Sequence, residues 1–500
     1  MERLLSKSKY LSGLQCRKKL WLSIYQPQKA KQAGHFTEMV LQRGTDIGKS
    51  ARERFPGGIL IEAPYHDIKA ALTETETHLA GAKHGGGSRN RQDSTPILFE
   101  PAFLHNGLFC RVDILVPAGE EWDIIEVKST LDIQDIQLPD AAVQKYILEG
   151  AGLQVRNTCI MHLNRECRYP DLSDLFRIEK VDSLIQDELE TVPRAAAAFF
   201  TVMQEREEPM VPAGDHCRSP YECAFIDYCW RDVPAPSLYN IRRLKKEKRE
   251  ELTGRGIYSV FDIPGDYPLS PNEQEQVKMY RSGKAKIDTA AIRKQLAALT
   301  FPLYFLDFET DNPAVPRYEG MAPYQQVPFQ YSLHILRKNG ELEHREYLHT
   351  DSSDPRRPLA EQLAMDIKAA SRGATLIAYY AVFEKNVITG LARHFPDLAP
   401  DLEPAVKRFW DLLDIFKKHY RHPGFLGSNS LKSVLPVIVP EMGYAALDVQ
   451  NGSEAQMAWN ALLDPELSER EKRRMEEALR VYCRQDTLAM VKIYEELKKI

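Results

Sequence analysis

Two stretches of the chain alternate between short apolar runs and single charged residues, and a third keeps helical spacing to the end. Leu108 to Val116 and Trp122 to Val127 are apolar runs parted by Pro117-Ala118-Gly119, which predicts neighbouring strands. Helical patterning follows over about Ala141 to Glu149. Later, buried-strand signals fall at 302–308, around Leu303-Tyr304-Phe305-Leu306, and at 328–336. Mixed segments then lead to a helix from about Glu469 to Lys499. Both ends of the chain therefore read as α/β.

A length of 500 residues exceeds what one core organises, so two domains of roughly 200 to 250 residues are expected. The Pro-rich segment Val233-Pro234-Ala235-Pro236-Ser237 precedes about sixty charged, mainly helical residues. Boundaries near 235 and 296 divide the chain into 1–235, a connector at 236–295, and 296–500. The run Gly85-Gly86-Gly87-Ser88-Arg89-Asn90 is too short to part domains and reads as a surface connection. No internal repeat is evident.

Hydrophobic residues make up 43% and charged residues 27%, and no segment is long and apolar enough to span a bilayer. The first residues lack an apolar signal core, so a cytoplasmic protein is expected. Net charge is −5, so any grip on nucleic acid must come from local clusters. Arg242-Arg243-Leu244-Lys245-Lys246-Glu247-Lys248-Arg249 is one, and Arg17-Lys18-Lys19 another. Eight cysteines in a reducing compartment remain thiols. Cys110, Cys159, Cys167 and Cys483 are scattered, whereas Cys217, Cys223 and Cys229 are separated by five residues each.

Asp113 lies inside one apolar run, and Ile124-Ile125-Glu126-Val127-Lys128 places an acid and a lysine on one strand face. Two carboxylates can hold a divalent cation that activates water, and the lysine can stabilise developing negative charge. This order resembles the PD-(D/E)xK nucleases, particularly the RecB-like branch. By that resemblance Asp113 and Glu126 hold metal, Lys128 is catalytic, and Gln144 on Ala141-Ala142-Val143-Gln144-Lys145-Tyr146 is the glutamine of the following helix. Tyr146 falls at an unusual offset from it. Many RecB-like nucleases carry a further histidine ligand in a Gly-Thr-x-x-His pattern; in Gly44-Thr45-Asp46-Ile47-Gly48 that position is Gly48. Asp46, Glu53 and Glu100 are the candidates to replace it.

Cys16, in Leu14-Gln15-Cys16-Arg17-Lys18-Lys19-Leu20-Trp21, resembles the N-terminal cysteine of RecB-like nucleases that bind a [4Fe–4S] cluster. The resemblance implies Cys16, Cys217, Cys223 and Cys229 as its ligands. Four thiolates suit iron–sulfur or zinc, but close C-x2-C pairs are absent, which favours iron–sulfur.

Leu303-Tyr304-Phe305-Leu306-Asp307-Phe308-Glu309-Thr310 is an apolar strand whose two acids share a face. Two like charges there are costly without a cation. Glu384 follows a second apolar segment, and Tyr482 and Asp486 are four apart on the last helix. The set resembles the DnaQ-like, RNase H-fold exonucleases that carry a tyrosine. It implies that Asp307, Glu309, Glu384 and Asp486 hold two Mg²⁺ or Mn²⁺ ions and that Tyr482 positions the attacking water. That family usually has aspartate where Glu384 stands and asparagine at Tyr380. Asp411, Asp414 and the run Gly427-Ser428-Asn429-Ser430-Leu431-Lys432 are candidate substrate contacts.

Leu252-Thr253-Gly254-Arg255-Gly256-Ile257 resembles a helix-hairpin-helix turn, whose amides approach phosphate. The whole succession resembles a group of bacterial proteins with a domain of unknown function. The expectation is a dual nuclease acting on DNA, single-stranded or frayed at its ends, with 3′–5′ exonuclease activity in the last domain. RNA trimming, or a cluster-stapled scaffold with one active exonuclease, are the alternatives. No helicase motif is present, so duplex unwinding would need a helicase partner.

Overall fold

The computed structural model describes residues 4–32, 34–83, 96–371 and 373–500; the Gly-rich run at 85–90 lies outside them. The chain is mixed α/β and divides into two compact units, 1–232 with 313–324, and 233–312 with 325–500. Residues 233–295 therefore count with the second unit. None of the described helices is long and apolar enough to cross a membrane.

The first unit is built on a six-stranded mixed sheet in the order Ile59–Leu60, Leu98–Phe99, Ile114–Ala118, Glu121–Val127, Val155–Leu163, Phe176–Lys180. Glu121–Val127 pairs antiparallel with Ile114–Ala118 and parallel with Val155–Leu163. The parallel pair needs a crossover, which the helix Leu138–Gly150 supplies. That helix buries Ala141, Ala142, Val143, Ile147 and Leu148 against Ile124 and Ile160. The expected single strand from Leu108 to Val116 is instead two, Leu108–Arg111 and Ile114–Ala118, in different sheets. The chain switches at Val112-Asp113, where Val112 N–H bonds Pro101 O (3.0 Å) and Asp113 O accepts from Glu100 N–H (3.2 Å). Asp113 is thus freed from the ladder beside Glu126.

In the second unit a five-stranded sheet runs Leu342–Leu348, Val327–Leu336, Leu303–Asp311, Thr375–Ala378, Phe409–Asp411. The first three strands are antiparallel and the last two join parallel. Side chains alternate along the central strand, so Leu303 and Phe305 enter one core with the helix Glu469–Leu497. Tyr304, Leu306 and Phe308 enter another, with the helices Arg356–Asp366 and Val382–His394. Asp307 and Glu309 continue the Leu303–Phe305 face. Expected to end at 308, the strand runs on to Asp311, because pairing with Val327–Leu336 continues through a register shift between Glu309 and Thr310. Such a bulge re-aims side chains without ending a strand.

Residues 236–282 form the helices Lys246–Gly254 and Pro271–Ser282 around their own small core of Leu238, Leu252, Val260 and Val277, whereas the next helix, Thr289–Ala297, puts Ile292 into the core shared with Leu303 and Phe305. The expected helix-hairpin-helix is incomplete. After Gly256, at φ +77°, the chain makes only the 3-10 turn Val260–Asp262, because Ser237 bridges Ser259 and holds the segment extended.

Candidate functional site

The acids of the second unit converge because buried polar bonds set the rotation of the last helix. Gln330 Nε2 donates to Leu479 O (2.9 Å), and Thr487 Oγ1 meets Ser332 Oγ (2.7 Å) and His334 Nδ1 (2.8 Å). A helix so seated turns Tyr482, Cys483 and Asp486 toward the central strand. Cys483 Sγ stands 4.0 Å from Asp307 Oδ2, and one donor atom each from Asp307, Glu309 and Cys483 falls within 4.8 Å of the others. Glu384 sits in the first turn of Val382–His394, where the helix dipole favours an anion.

Burial, reinforced by the neighbouring carboxylates, pushes Asp307 and Glu309 well above the ordinary range. Burial lifts Glu384 to about 8, with Asp411 adding to it, and Glu384 Oε2 is buried without a hydrogen-bond partner. Burial also raises Asp486 to about 6, against the lowering pull of Tyr444, Lys432 and Tyr482. Tyr482 is raised by burial and by Glu309 and Asp486, so its phenol keeps its proton through neutral pH. Asp307 and Asp486 line a pocket of about 500 Å³ with Tyr379, Tyr380, Lys417 and Lys432.

Sequence reasoning misses two residues here. Tyr444 gives Asp486 its hydrogen bond, Oη to Oδ1 at 2.5 Å, and no spacing marks it. Cys483 reads as a scattered thiol, though its adjacency to Tyr482 is a signal. Lys432, a candidate substrate contact, lies 5.3 and 5.4 Å from the rings of Tyr444 and Tyr482 and lowers all three of Asp307, Glu309 and Asp486. Asp411 accepts the N–H groups of Tyr380 and Leu413 (3.0 Å each) and shapes the turn before Glu384. Asp414 bonds Lys418 at 2.7 Å and is not among the clustered acids.

In the first unit Asp113, Glu126, Lys128 and Gln144 also come together. Asp113 Oδ2 accepts from Val127 N–H at 2.7 Å, and Gln144 Nε2 donates to Glu126 Oε2 at 2.7 Å. Two unpredicted residues complete the group. Asp140, one helical turn before Gln144, bonds Lys128 Nζ at 2.6 Å, and Lys7 Nζ reaches both Glu126 (3.2 Å) and Asp140 (3.1 Å). Burial and the other acids raise Glu126; burial would raise Asp140 too, but Lys7 and Lys128 hold it well below the carboxylate range. Two ammonium groups thus offset the acids internally.

Of the candidates to replace the missing histidine, Glu100 is close enough to raise Asp113, and it also bonds Arg52 at 3.0 Å. Asp46 is exposed, bonded to Gln42 at 2.9 Å, and Glu53 is exposed, so neither enters the group. Gly48 has open space where a side chain would start. Tyr146 turns away toward Asn106 (3.4 Å) and His105.

Cys16, Cys217, Cys223 and Cys229 line one small cavity together with His216. All four are free thiols. His216 bonds Cys16 and Cys217, which raises the imidazole to about 10; Cys217 is lowered to about 7 against the effect of burial. Among the described residues, no three of these donors close to within 4.8 Å of one another, as ligands of one tetrahedral zinc would.

Residues 304–430 match the model of a domain of unknown function, DUF2779. That span holds Asp307, Glu309, Glu384 and Asp411 and stops short of Tyr482 and Asp486. The chain is also 25% identical over 242 residues to an uncharacterised protein of Ureaplasma parvum serovar 3, which covers 44% of this chain and 35% of that relative. The chain spans about a third of the length of the curated relative it matches.

Proposed function

We propose that the second unit is a metal-dependent phosphodiester hydrolase of DnaQ-like, RNase H-fold type, trimming DNA ends, with RNA as the alternative polymer. The observation that carries this reading is that Asp307, Glu309, Glu384 and Asp486 all have raised pKa values, with Glu384 and Asp486 near enough to raise both Asp307 and Glu309, with Asp307 and Asp486 lining one pocket, and with Lys432 as the nearby offsetting ammonium. The strand order, three antiparallel then two parallel with the acids on the central strand, supports the fold assignment. The residues fit divalent ions: Glu384 Oε2 is an orphaned buried acceptor, and the Asp307–Glu309–Cys483 donors are already close.

Asp307, Glu309, Glu384 and Asp486 would hold Mg²⁺ or Mn²⁺, which supplies charge neutralisation and lowers the pKa of a bound water. Tyr482, protonated, lowers Asp486 by a side-chain hydrogen bond and would turn that hydroxyl to orient the attacking water. Tyr444 fixes the Asp486 rotamer, and Lys432 offers positive charge to the phosphate. The first unit reads as a RecB-like PD-(D/E)xK core. Its four cysteines line one cavity and their thiolate chemistry suits a [4Fe–4S] cluster, which would tie Cys16 to the segment 217–229. Lys7 favours a second reading for that unit, a scaffold without catalysis, since its ammonium already occupies the bridge between Glu126 and Asp140.

End-labelled single-stranded DNA and RNA, incubated with Mg²⁺ or Mn²⁺ and the Asp307→Ala or Glu126→Ala protein, test both readings. Loss of stepwise shortening in Asp307→Ala alone is the expected result. Unchanged cleavage in both variants sinks the mechanism.

A further inference from the structure

The basic run at 242–249 is not one surface. Lys248 is taken up by Glu273 (2.8 Å) and Lys246 by Glu250 (3.7 Å). Arg242 and Arg243 instead enter a cleft of about 450 Å³ in the second unit, whose other wall carries Lys417, Lys418, Arg421 and His422. Arg421 pairs with Glu275 (2.9 Å) and Lys418 with Asp414 (2.7 Å). Among the described residues, Arg242, Arg243 and Lys417 have no carboxylate within 4.0 Å. Burial, Arg243 and Arg421 all lower the pKa of Arg242, the mark of cations crowded without an anion.

The cleft opens toward the carboxylates. Lys417 and Asn429 line both it and the pocket of Asp307 and Asp486. Tyr380 lines that pocket with 51% of its surface exposed, in the left-handed region at φ +78°, and Lys417 Nζ lies 5.5 Å from its ring. Strain of this kind on a non-glycine residue is kept where function uses it. The walls are held together. Asn240 Nδ2 donates to Leu426 O (2.8 Å), Tyr280 Oη donates to Asn240 O (3.1 Å), and a β-carbon on Gly427 would collide with Asn240 O.

We propose that this cleft binds the phosphate backbone of a single nucleic-acid strand and feeds its end past Tyr380, as a base platform, to the carboxylate pocket. Unpaired cations along a groove with an adjoining aromatic face are the chemistry that tracks a single strand without reading its sequence. The inference rests on the hydrolase reading above and adds to it where the strand lies.

The test uses the full chain with fluorescein-labelled oligothymidylate and oligouridylate of about 20 nucleotides. Anisotropy in EDTA over a salt series reads affinity, and shortening in Mn²⁺ reads KM and kcat. Arg242→Glu/Arg243→Glu should weaken binding at least about tenfold and flatten the log–log salt slope by about 1.4, at about 0.7 for each phosphate left without its cation. KM should rise with little change in kcat. Lys417→Gln, on the opposite wall, should flatten the slope by about 0.7. Thermal midpoints equal to wild type exclude misfolding as the cause. Wild-type protein that shortens the strand while the variants keep its KM and salt slope overturns the cleft alone. Wild-type protein that neither binds nor shortens either strand overturns the cleft and the hydrolase reading together.

Discussion

Replacing Asp486 by Asn removes one charge from the carboxylate pocket while keeping the side chain's shape and an oxygen for the Tyr444 hydroxyl. Below about pH 4 the wild-type carboxyl carries its proton in both folded and unfolded chains, and it costs nothing. As pH rises toward 6 the unfolded chain releases the proton and the folded pocket retains it, so stability falls with pH. Above 6 the folded group ionises as well, and the penalty is complete. A shift from 3.8 to about 6 corresponds to about 3 kcal/mol at 1.36 kcal/mol per unit. The acids share one pocket and titrate as a group, which makes this an upper limit. In EDTA, Asp486→Asn should therefore unfold above wild type near pH 8, by up to roughly 6–12 °C at 2–4 °C per kcal/mol, and level with it near pH 4. Mg²⁺ or Mn²⁺ should raise the wild-type midpoint at pH 8 and move the variant less. Differential scanning calorimetry across the pH range reads all of this. A difference between the two proteins that stays flat from about pH 4 to pH 8 would refute the claim that an acid cluster only partly offset by Lys432 resides there.

Three further outcomes follow from other parts of the molecule. Lys7→Met removes one of the two ammonium groups facing Glu126 and Asp140, and urea titration should show a loss of stability smaller than the about 3–5 kcal/mol that a wholly unpaired buried charge costs, because Lys128 still bonds both acids; an unchanged midpoint would show that Lys128 alone suffices. Cys217→Ser should reduce iron and acid-labile sulfide in anaerobically purified protein and bleach its visible absorption, whereas wild-type protein lacking all three would remove the cluster from the account. Gly427→Ala forces a β-carbon against Asn240 O at a φ of +77° and should cost roughly 1–3 kcal/mol, seen as a lower midpoint for the second unit.

Much of the two acidic groups can be read from local periodicity. Asp307 and Glu309 share a face because a strand repeats every two residues, and Tyr482 and Asp486 share one because a helix nearly repeats after four. Those rules hold whatever surrounds the element. The terminal helix, expected at about 469–499, runs Glu469–Leu497 because its apolar stripe and its Ser468–Glu471 capping box are both local signals. The four cysteines that line one cavity are likewise marked by their spacing and flanking residues.

What neighbours the acids comes only from the tertiary structure. Tyr444 sits in a loop 42 residues before Asp486, and Lys7 lies 119 residues before Glu126, distances at which no periodicity reports a contact. Asp140 is a partial exception, one turn from Gln144 on the helix that the sequence singles out. The break at Val112-Asp113 is hidden because an apolar run looks the same whether it stays in one sheet or switches between two; the backbone bonds to Pro101 and Glu100 decide it. The difference between the two acidic groups is equally invisible in the sequence, which carries similar carboxylate patterns in both. Long-range packing decides that one set faces two lysines and the other mainly Lys432, because charge compensation depends on which side chains meet, and local propensity carries no record of that.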